Sequence, residues 1–126
     1  MVEYTRQRIR CAVLVVHDDR VLLVKHVQPG HSEWWVPPGG GVKSDESLYE
    51  CARREAWEKT GLSVEFGKSA YLRQFLELSM DCHHIEVYIE ATAFSGEMTI
   101  ENIAGKGHDG HMIRDARFMT RERWHY

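Results

Sequence analysis

Two glutamates three positions apart are the residues of this sequence whose types and spacing are best suited to chemistry. Glu55 and Glu58 lie in a stretch that predicts a helix over residues 45–60. Side chains three positions apart project from one face of a helix, so both carboxylates can converge on a hard cation such as Mg²⁺. A metal ion held there would neutralise diphosphate oxygens and activate a water, with a nearby carboxylate as general base.

The glycine run before this helix indicates a tight loop that brings the backbone close to the same cation. Residues 39–41 are all glycine, which lets the chain bend sharply and present a carbonyl oxygen to the metal. Ser44 or Asp45 is expected to cap the start of the helix, where acidic residues also favour the helix dipole. Gly61 stands where a left-handed C-terminal cap belongs.

The remaining pattern predicts a sheet on which this helix packs. Leu48, Ala52 and Ala56 recur at intervals of four and give the helix an apolar stripe. The nearly apolar residues 9–16 predict a strand covered on both faces, whereas alternation over 85–94 predicts one buried and one wet face. Further strands are predicted at 21–24, 34–36, 71–78 and 116–119, turns at 17–20 and 80–84, and a short helix at 121–126. This order predicts an α/β fold with a mixed sheet.

Size and charge restrict the classes of function. The chain has 126 residues, which fits one domain spanning 1–126. Its formal net charge of −3 argues against dedicated nucleic-acid binding, although a local site can still bind a nucleotide. The three cysteines show no paired spacing and predict reduced thiols. With no signal-peptide core and no apolar run of about 20 residues, a cytoplasmic protein without membrane attachment is expected.

The stretch from the glycines to the end of the helix resembles the Nudix signature. That signature reads Gly, five residues, Glu, seven residues, Arg-Glu, an aliphatic, any residue, Glu-Glu, any residue, Gly, an aliphatic. The positions in register are Gly40, Glu46, Arg54, Glu55, Ala56, Glu58, Gly61 and Leu62. Residues 35–39 resemble the family's lead-in, and both flanks are similar to its usual ends, so the resemblance covers most of the chain.

This resemblance implies a fold, an activity and a cofactor. The fold would be a Nudix-type α/β/α sandwich with a mixed sheet. The activity would be that of a small MutT-like pyrophosphohydrolase, using Mg²⁺ or Mn²⁺. It would cleave the diphosphate linkage of a nucleoside triphosphate, or of another nucleoside-diphosphate derivative, by water attack at phosphorus.

The resemblance also implies a role for each matching residue. Glu58 would be a metal ligand, and Glu55 a ligand or the general base. Gly39 would offer its carbonyl to the metal. Arg54 would orient the carboxylates through charge-assisted hydrogen bonds, and Glu46 would support the loop and helix geometry. Gly40 and Gly61 complete the motif.

Two lysines depart from the family pattern. Lys59 replaces the second Glu of the Glu-Glu pair, which normally supplies a metal ligand, and Lys43 replaces an acidic residue common in the preceding loop. A protonated lysine cannot ligate a metal. Three readings remain open: weaker metal binding, direct contact of the lysines with substrate phosphate, or lost catalysis. Lys59 also forms an i,i+4 pair with Glu55, worth about 0.3–0.5 kcal/mol if exposed.

Other residues are candidates for completing the site. The family often recruits one more carboxylate before the last strand, where Asp109 and Asp115 are the acidic candidates. Trp35 could stack on a base, as aromatic side chains do without sequence preference. The alternative to a hydrolase is a catalytically weakened nucleotide-binding module on the same fold. An RNA-processing member is disfavoured by the acidic balance, and a homodimer is expected if apolar sheet surface is left uncovered after the last strand.

Overall fold

The computed structural model describes residues 6–28, 30, 33–103 and 112–120. Among these residues there are eight strands, one α-helix and two 3-10 helices, at Leu78–Met80 and Glu101–Ile103. The strands are β1 (Arg6–Leu14), β2 (Val16–His17), β3 (Arg20–Val27), β4 (Glu33–Val36), β5 (Gly39–Gly41), β6 (Ser63–Glu77), β7 (Cys82–Ser95) and β8 (Ile113–Thr120). The helix α1 spans Leu48–Thr60. The helix predicted at 121–126 lies outside the described residues.

The strands form two sheets that share α1 and its core. One sheet has the order β5-β1-β7-β6, in which β1 and β7 run parallel and the other pairs run antiparallel. In the other sheet β3 pairs antiparallel with β2, β4 and β8. The predicted α/β sandwich with mixed strand directions is therefore confirmed. The assignment of the whole chain to a single domain stays a prediction.

The helix begins later than predicted because a different serine caps it. Ser47 accepts from the Glu50 amide at 3.1 Å, while Glu50 accepts from the Ser47 amide at 3.2 Å, which makes a capping box. The predicted caps Ser44 and Asp45 are wrong, since both lie in a turn before the helix. At the other end the predicted cap is confirmed: Gly61 has φ 78°, and a Cβ there would lie 2.5 Å from the Glu97 carbonyl oxygen.

The buried face of α1 packs on β1. Ala52 and Ala56 are fully buried and meet Cys11 and Val13 of the strand, as the apolar stripe predicts. Leu48 is 37% exposed, so its predicted place in that stripe is wrong. The first turn lies at the rim of the helix–sheet contact, and small side chains let the later turns approach the sheet closely.

Two predictions of strand burial need correction. Residues 10–15 are buried or half-buried as predicted, but Ile9 and Val16 are exposed, so coverage of both faces fails at the strand ends. On β7 the predicted wet face is wrong at Glu86, which is 7% exposed. Its carboxylate lies 3.1 Å from Arg10 and 3.7 Å from Arg73, and these partners permit a buried charge.

Strands β6 and β7 are longer than predicted. Their antiparallel register runs from Ser63 opposite Ser95 to Glu77 opposite Cys82. The turn predicted at 80–84 is shorter in the structure, because the 3-10 helix Leu78–Met80 precedes β7 directly. The pairing of β6 with β7 continues on both sides of an irregularity between Phe66 and Ala70, and a single-strand pattern cannot reveal such pairing.

Strand β6 lies at a sheet edge and exposes the hydrophobic side chains of Tyr71, Leu72 and Leu76. The homodimer stays a prediction.

No helix of the described residues is long and apolar enough to cross a membrane. The three cysteines form no disulfide, as predicted, and all three are buried.

Ser47 and Ser44 give a direct test of the helix start. Ser47→Ala removes the acceptor of the capping box and is expected to lower the free energy of unfolding by about 0.5–2 kcal/mol. Ser44→Ala, three residues earlier in the turn, is expected to change it by less than about 0.5 kcal/mol. Urea denaturation of both variants measures the difference, and equal effects would mean that the helix starts elsewhere.

Candidate functional site

The guanidinium of Arg54 gathers three carboxylates. It binds Glu46 in a bidentate manner, with Nη2 to Oε1 at 2.7 Å and Nε to Oε2 at 3.0 Å. Its Nη1 donates to Glu55 Oε1 at 2.9 Å and to Glu58 Oε2 at 3.3 Å. Nη2 also donates to the Gly41 carbonyl at 3.3 Å. We call Arg54, its three glutamates and Lys59 the Arg54 cluster.

The electrostatics of the cluster favour its charged form. The hydrogen bond from Arg54 is the main reason that the pKa of Glu46 falls from 4.5 to about 2. The same bond to Glu46 is the largest cause of a raised pKa at Arg54. The loop before α1 adds the Lys43 amide, which donates to Glu46 Oε1 at 2.9 Å. Glu46 thus links the loop to the helix through Arg54.

Lys59 is buried inside the cluster. Its side chain is 2% exposed, and its Nζ donates to the Gly39 carbonyl oxygen at 2.5 Å. The same nitrogen lies 3.4 Å from Glu55 Oε2, an atom for which the described residues supply no hydrogen bond. The i,i+4 pair with Glu55 therefore exists, but it is a buried pair. Lys43, by contrast, is exposed in the loop between β5 and α1.

Gly40 is required because Glu55 lies directly against it. A Cβ at Gly40 would be 2.4 Å from Glu55 Oε1. That oxygen is held by Arg54, so it cannot move away without loss of the ion pair. Gly41, one residue later, has open space around the same position. The middle glycine of the run thus allows strand β5 to touch the helix carboxylate.

Cys51 is buried beside the same strand and is not a nucleophile. Its thiol lies 3.7 Å from the carbonyl oxygens of Gly40 and Gly41. Burial is the main reason that the pKa of Cys51 rises to about 12 and that of Cys11 to about 11. Both thiols therefore stay protonated and act as small core residues.

The predicted metal ligands do not fit a divalent ion shared by Gly39 and Glu55. Mg²⁺ needs ligand oxygens at about 2.0–2.1 Å, and the Lys59 ammonium already joins these two groups. Among the residues that the structure describes, no three His, Cys, Asp or Glu side chains form a group able to hold a metal. Glu58 remains available at the surface, with its side chain 21% exposed.

One of the two candidates for an extra carboxylate is held by partners on its own strand, and the other lies outside the described residues. Asp115 lies on β8, where it accepts from Arg117 Nε at 2.7 Å and from the Ala116 amide at 2.8 Å. These partners belong to its own strand and not to the Arg54 cluster. Asp109 lies outside the described residues.

An open aromatic cleft adjoins the glycine strand. Its volume is about 300 Å³. The lining residues are Arg10, Trp34, Trp35, Val36, Arg73, Phe75 and Glu86. Trp34 stacks on His26 with ring centroids 5.3 Å apart. Arg10 pairs with Gly41 across β1 and β5, but Cys11, the next residue of β1, packs on α1. Successive side chains of a strand point to opposite faces, so the cleft lies on the face of β1 away from the helix.

Sequence reasoning found Trp35 but missed the charged lining of this cleft. Arg10, Arg73 and Glu86 come from three different strands and meet only in the sheet β5-β1-β7-β6. The one available signal was a glutamate within the apolar strand β7. The alternating pattern instead suggested that Glu86 faced water.

Comparison with known proteins places the chain in a family. The family model described as NUDIX domain matches residues 5–124, so the chain belongs to the NUDIX domain family and the resemblance is confirmed. Phosphatase NudJ of Escherichia coli (strain K12) is 39% identical over 51 residues, 40% of this chain and 33% of the relative. The m7GpppN-mRNA hydrolase NUDT17 of Bos taurus is 36% identical over 62 residues, 48% of this chain and 20% of the relative. The matched segments span a third or less of these relatives.

Solved structures agree on the fold. The crystal structure of a MutT NUDIX hydrolase from Burkholderia pseudomallei superposes with a TM-score of 0.71 at 22% sequence identity. The superposition covers 91% of this chain and 84% of that chain. At this identity the likeness establishes the architecture, and the site has to be argued from its own residues.

Gly40 and Gly41 provide a matched test of the contact between β5 and α1. Gly40→Ala is expected to push Glu55 off Arg54 and to lower the free energy of unfolding by about 1–3 kcal/mol. Gly41→Ala enters open space and is expected to change it by less than about 0.5 kcal/mol. Thermal and urea unfolding measure both. Similar losses for the two variants would show that Glu55 does not occupy the space above Gly40.

Glu46 gives the cluster a predictable pH dependence. Because its folded-state pKa lies below the ordinary 4.5, it stabilises the protein above pH 4.5, and this stability is lost as the pH falls towards about 2. Glu46→Gln is therefore expected to be less stable near pH 7 by about 1–3 kcal/mol, with the gap to the native chain closing below pH 4.5. Urea unfolding at a series of pH values measures the gap. A constant gap would contradict the assignment.

Proposed function

We propose that this protein hydrolyses the diphosphate linkage of a nucleoside triphosphate or another nucleoside-diphosphate derivative, by water attack at phosphorus. The observation that carries the proposal is the Arg54 cluster, in which one guanidinium holds three motif carboxylates together. The names of the similar proteins support the class, since they include a phosphatase, an mRNA cap hydrolase and a MutT hydrolase.

The two helix glutamates, Glu55 and Glu58, would have different roles in the reaction. Glu58 is the partly exposed one, so we propose that its carboxylate meets the attacking water and accepts its proton. Glu55 is 6% exposed and lies between Arg54 and Lys59, which suits it to hold the cluster in place. The family resemblance implies Glu55 as metal ligand or general base; this division gives it neither role and assigns the proton-accepting role to Glu58.

The cleft would bind the nucleoside part of the substrate. Trp35 supplies a ring on which a base can stack, and such stacking is worth about 1–3 kcal/mol per base. A volume of about 300 Å³ suits a single base or nucleoside. Lys43, exposed in the loop that leads into α1, is suited to contact the phosphates as a point charge.

A requirement for Mg²⁺ or Mn²⁺ stays a prediction from the family. When bound, such an ion neutralises phosphate oxygens and lowers the cost of adding a hydroxide to phosphorus. On this chain Glu58 is the motif carboxylate that reaches the surface, whereas Gly39 and Glu55 are occupied by Lys59.

A nucleotide-binding module is the second candidate function. The buried Lys59 favours it, because an ammonium between two expected metal ligands would weaken catalysis and leave nucleotide binding intact. The aromatic cleft serves this function equally well. Measuring whether the protein turns over a nucleotide distinguishes the hydrolase from the binding module.

The test is phosphate or pyrophosphate release from nucleoside triphosphates, nucleoside-diphosphate sugars and dinucleoside polyphosphates, with Mg²⁺, Mn²⁺ or EDTA. The native chain is expected to turn over at least one substrate class. Glu58→Gln is expected to lower kcat about 100-fold or more, because general-base catalysis contributes roughly that much. Glu65→Gln, an exposed glutamate on β6, is the control and should leave kcat unchanged.

The outcomes distinguish the two functions. Loss of activity in Glu58→Gln with unchanged nucleotide binding supports the hydrolase. A larger loss in Glu55→Gln than in Glu58→Gln would transfer the proton-accepting role to Glu55. Nucleotide binding without release by the native chain, at every metal concentration, would replace the hydrolase with the binding module.

A further inference from the structure

Lys59 occupies the position at which the family signature has a second glutamate. In the structure its ammonium does not point to solvent or to the cleft. It donates to the Gly39 carbonyl at 2.5 Å and faces Glu55 Oε2 at 3.4 Å. The resemblance implies the Gly39 carbonyl as a metal ligand, and Glu55 as a metal ligand or the general base. Where the motif supplies a glutamate that ligates metal, this chain therefore has a cation, and that cation contacts Gly39 and Glu55.

The charges of the Arg54 cluster are nearly balanced by the chain itself. The three carboxylates of Glu46, Glu55 and Glu58 face two cations, Arg54 and Lys59, which leaves one formal negative charge. With a glutamate at position 59 there would be four carboxylates and one cation. A divalent ion is then needed to relieve the repulsion, whereas the native arrangement has no such need.

Burial fixes the ammonium in this position. Lys59 is 2% exposed, so its nitrogen cannot swing into water unless α1 separates from β5. A buried ammonium that left the Gly39 carbonyl and Glu55 would lose its partners at a large energetic cost. The Lys59 ammonium would block a divalent ion from the same two oxygens in two ways: it fills the space between them, and its positive charge repels the ion.

We propose that Lys59 is a built-in cation that replaces a divalent metal ion between the Gly39 carbonyl and Glu55. The glycine strand and the helix are then held together without metal. Divalent ions bind only weakly, on the Glu58 side of the cluster. The inference concerns metal binding and stability, so it holds or fails independently of whether the protein turns over a nucleotide.

The test measures Mn²⁺ binding to the nucleotide-free protein. Two methods report it: calorimetry, and the electron paramagnetic resonance signal of free Mn²⁺. The native chain is expected to bind Mn²⁺ weakly, and Lys59→Glu to gain at least about tenfold in affinity, equivalent to about 1.4 kcal/mol. Lys68→Glu makes the same change of charge at an exposed position on β6 and should leave the affinity within about threefold of the native value.

Thermal unfolding supplies a second readout. EDTA should leave the melting temperature of the native chain unchanged. Mn²⁺ should raise that of Lys59→Glu more than that of the native chain, because a ligand that binds only the folded state stabilises it by an amount that grows with the logarithm of its affinity. If Lys59→Glu folds only with Mn²⁺, that dependence itself supports the proposal. If it does not fold under either condition, the neutral Lys59→Gln takes its place, with an expected gain of about threefold in Mn²⁺ affinity.

Three results would overturn the proposal. The first is that the native chain binds Mn²⁺ as tightly as Lys59→Glu does, or as tightly as Lys59→Gln where that variant is used. The second is an equal gain in Lys68→Glu, which would assign the effect to net charge. The third is a fall in the native melting temperature on addition of EDTA, which would show that a metal holds the cluster together.

Discussion

The guanidinium of Arg54 donates to three carboxylates at once, and its partners come from three parts of the fold. Glu46 belongs to the loop before the helix, Glu55 and Glu58 to the helix, and the Gly41 carbonyl to strand β5. A planar group with five donors in fixed geometry can make such a set of bonds, whereas an ammonium cannot. The loop, helix and glycine strand therefore keep one relative position, and that position defines the candidate site.

Lys59 adds a second cation on the opposite side of Glu55. Arg54 takes Oε1 of this carboxylate and Lys59 lies beside Oε2, so the two cations hold one buried glutamate between them. A buried carboxylate requires such partners, because its desolvation is costly without them. In this arrangement protein cations supply positive charge that a metal ion would otherwise bring. Glu58, less buried, is left as the motif carboxylate that faces the solvent.

The aromatic cleft depends on the sheet in the same way that the cluster depends on the helix. Glu86 is buried on β7 because Arg10 and Arg73 reach it from the strands on either side. These charged groups line the cleft together with Trp35 and Phe75.

The sequence by itself determined the features that arise between near neighbours in the chain. These are the spacing of Glu55 and Glu58 on one helix face, the left-handed cap at Gly61 and the register of the family motif. Contacts between distant segments were decided only by the tertiary structure. Lys59 and Gly39 are twenty positions apart, and Glu86 meets Arg10 across seventy-six. Burial and ion pairing depend on which strands become neighbours, and a local pattern carries no information about that choice.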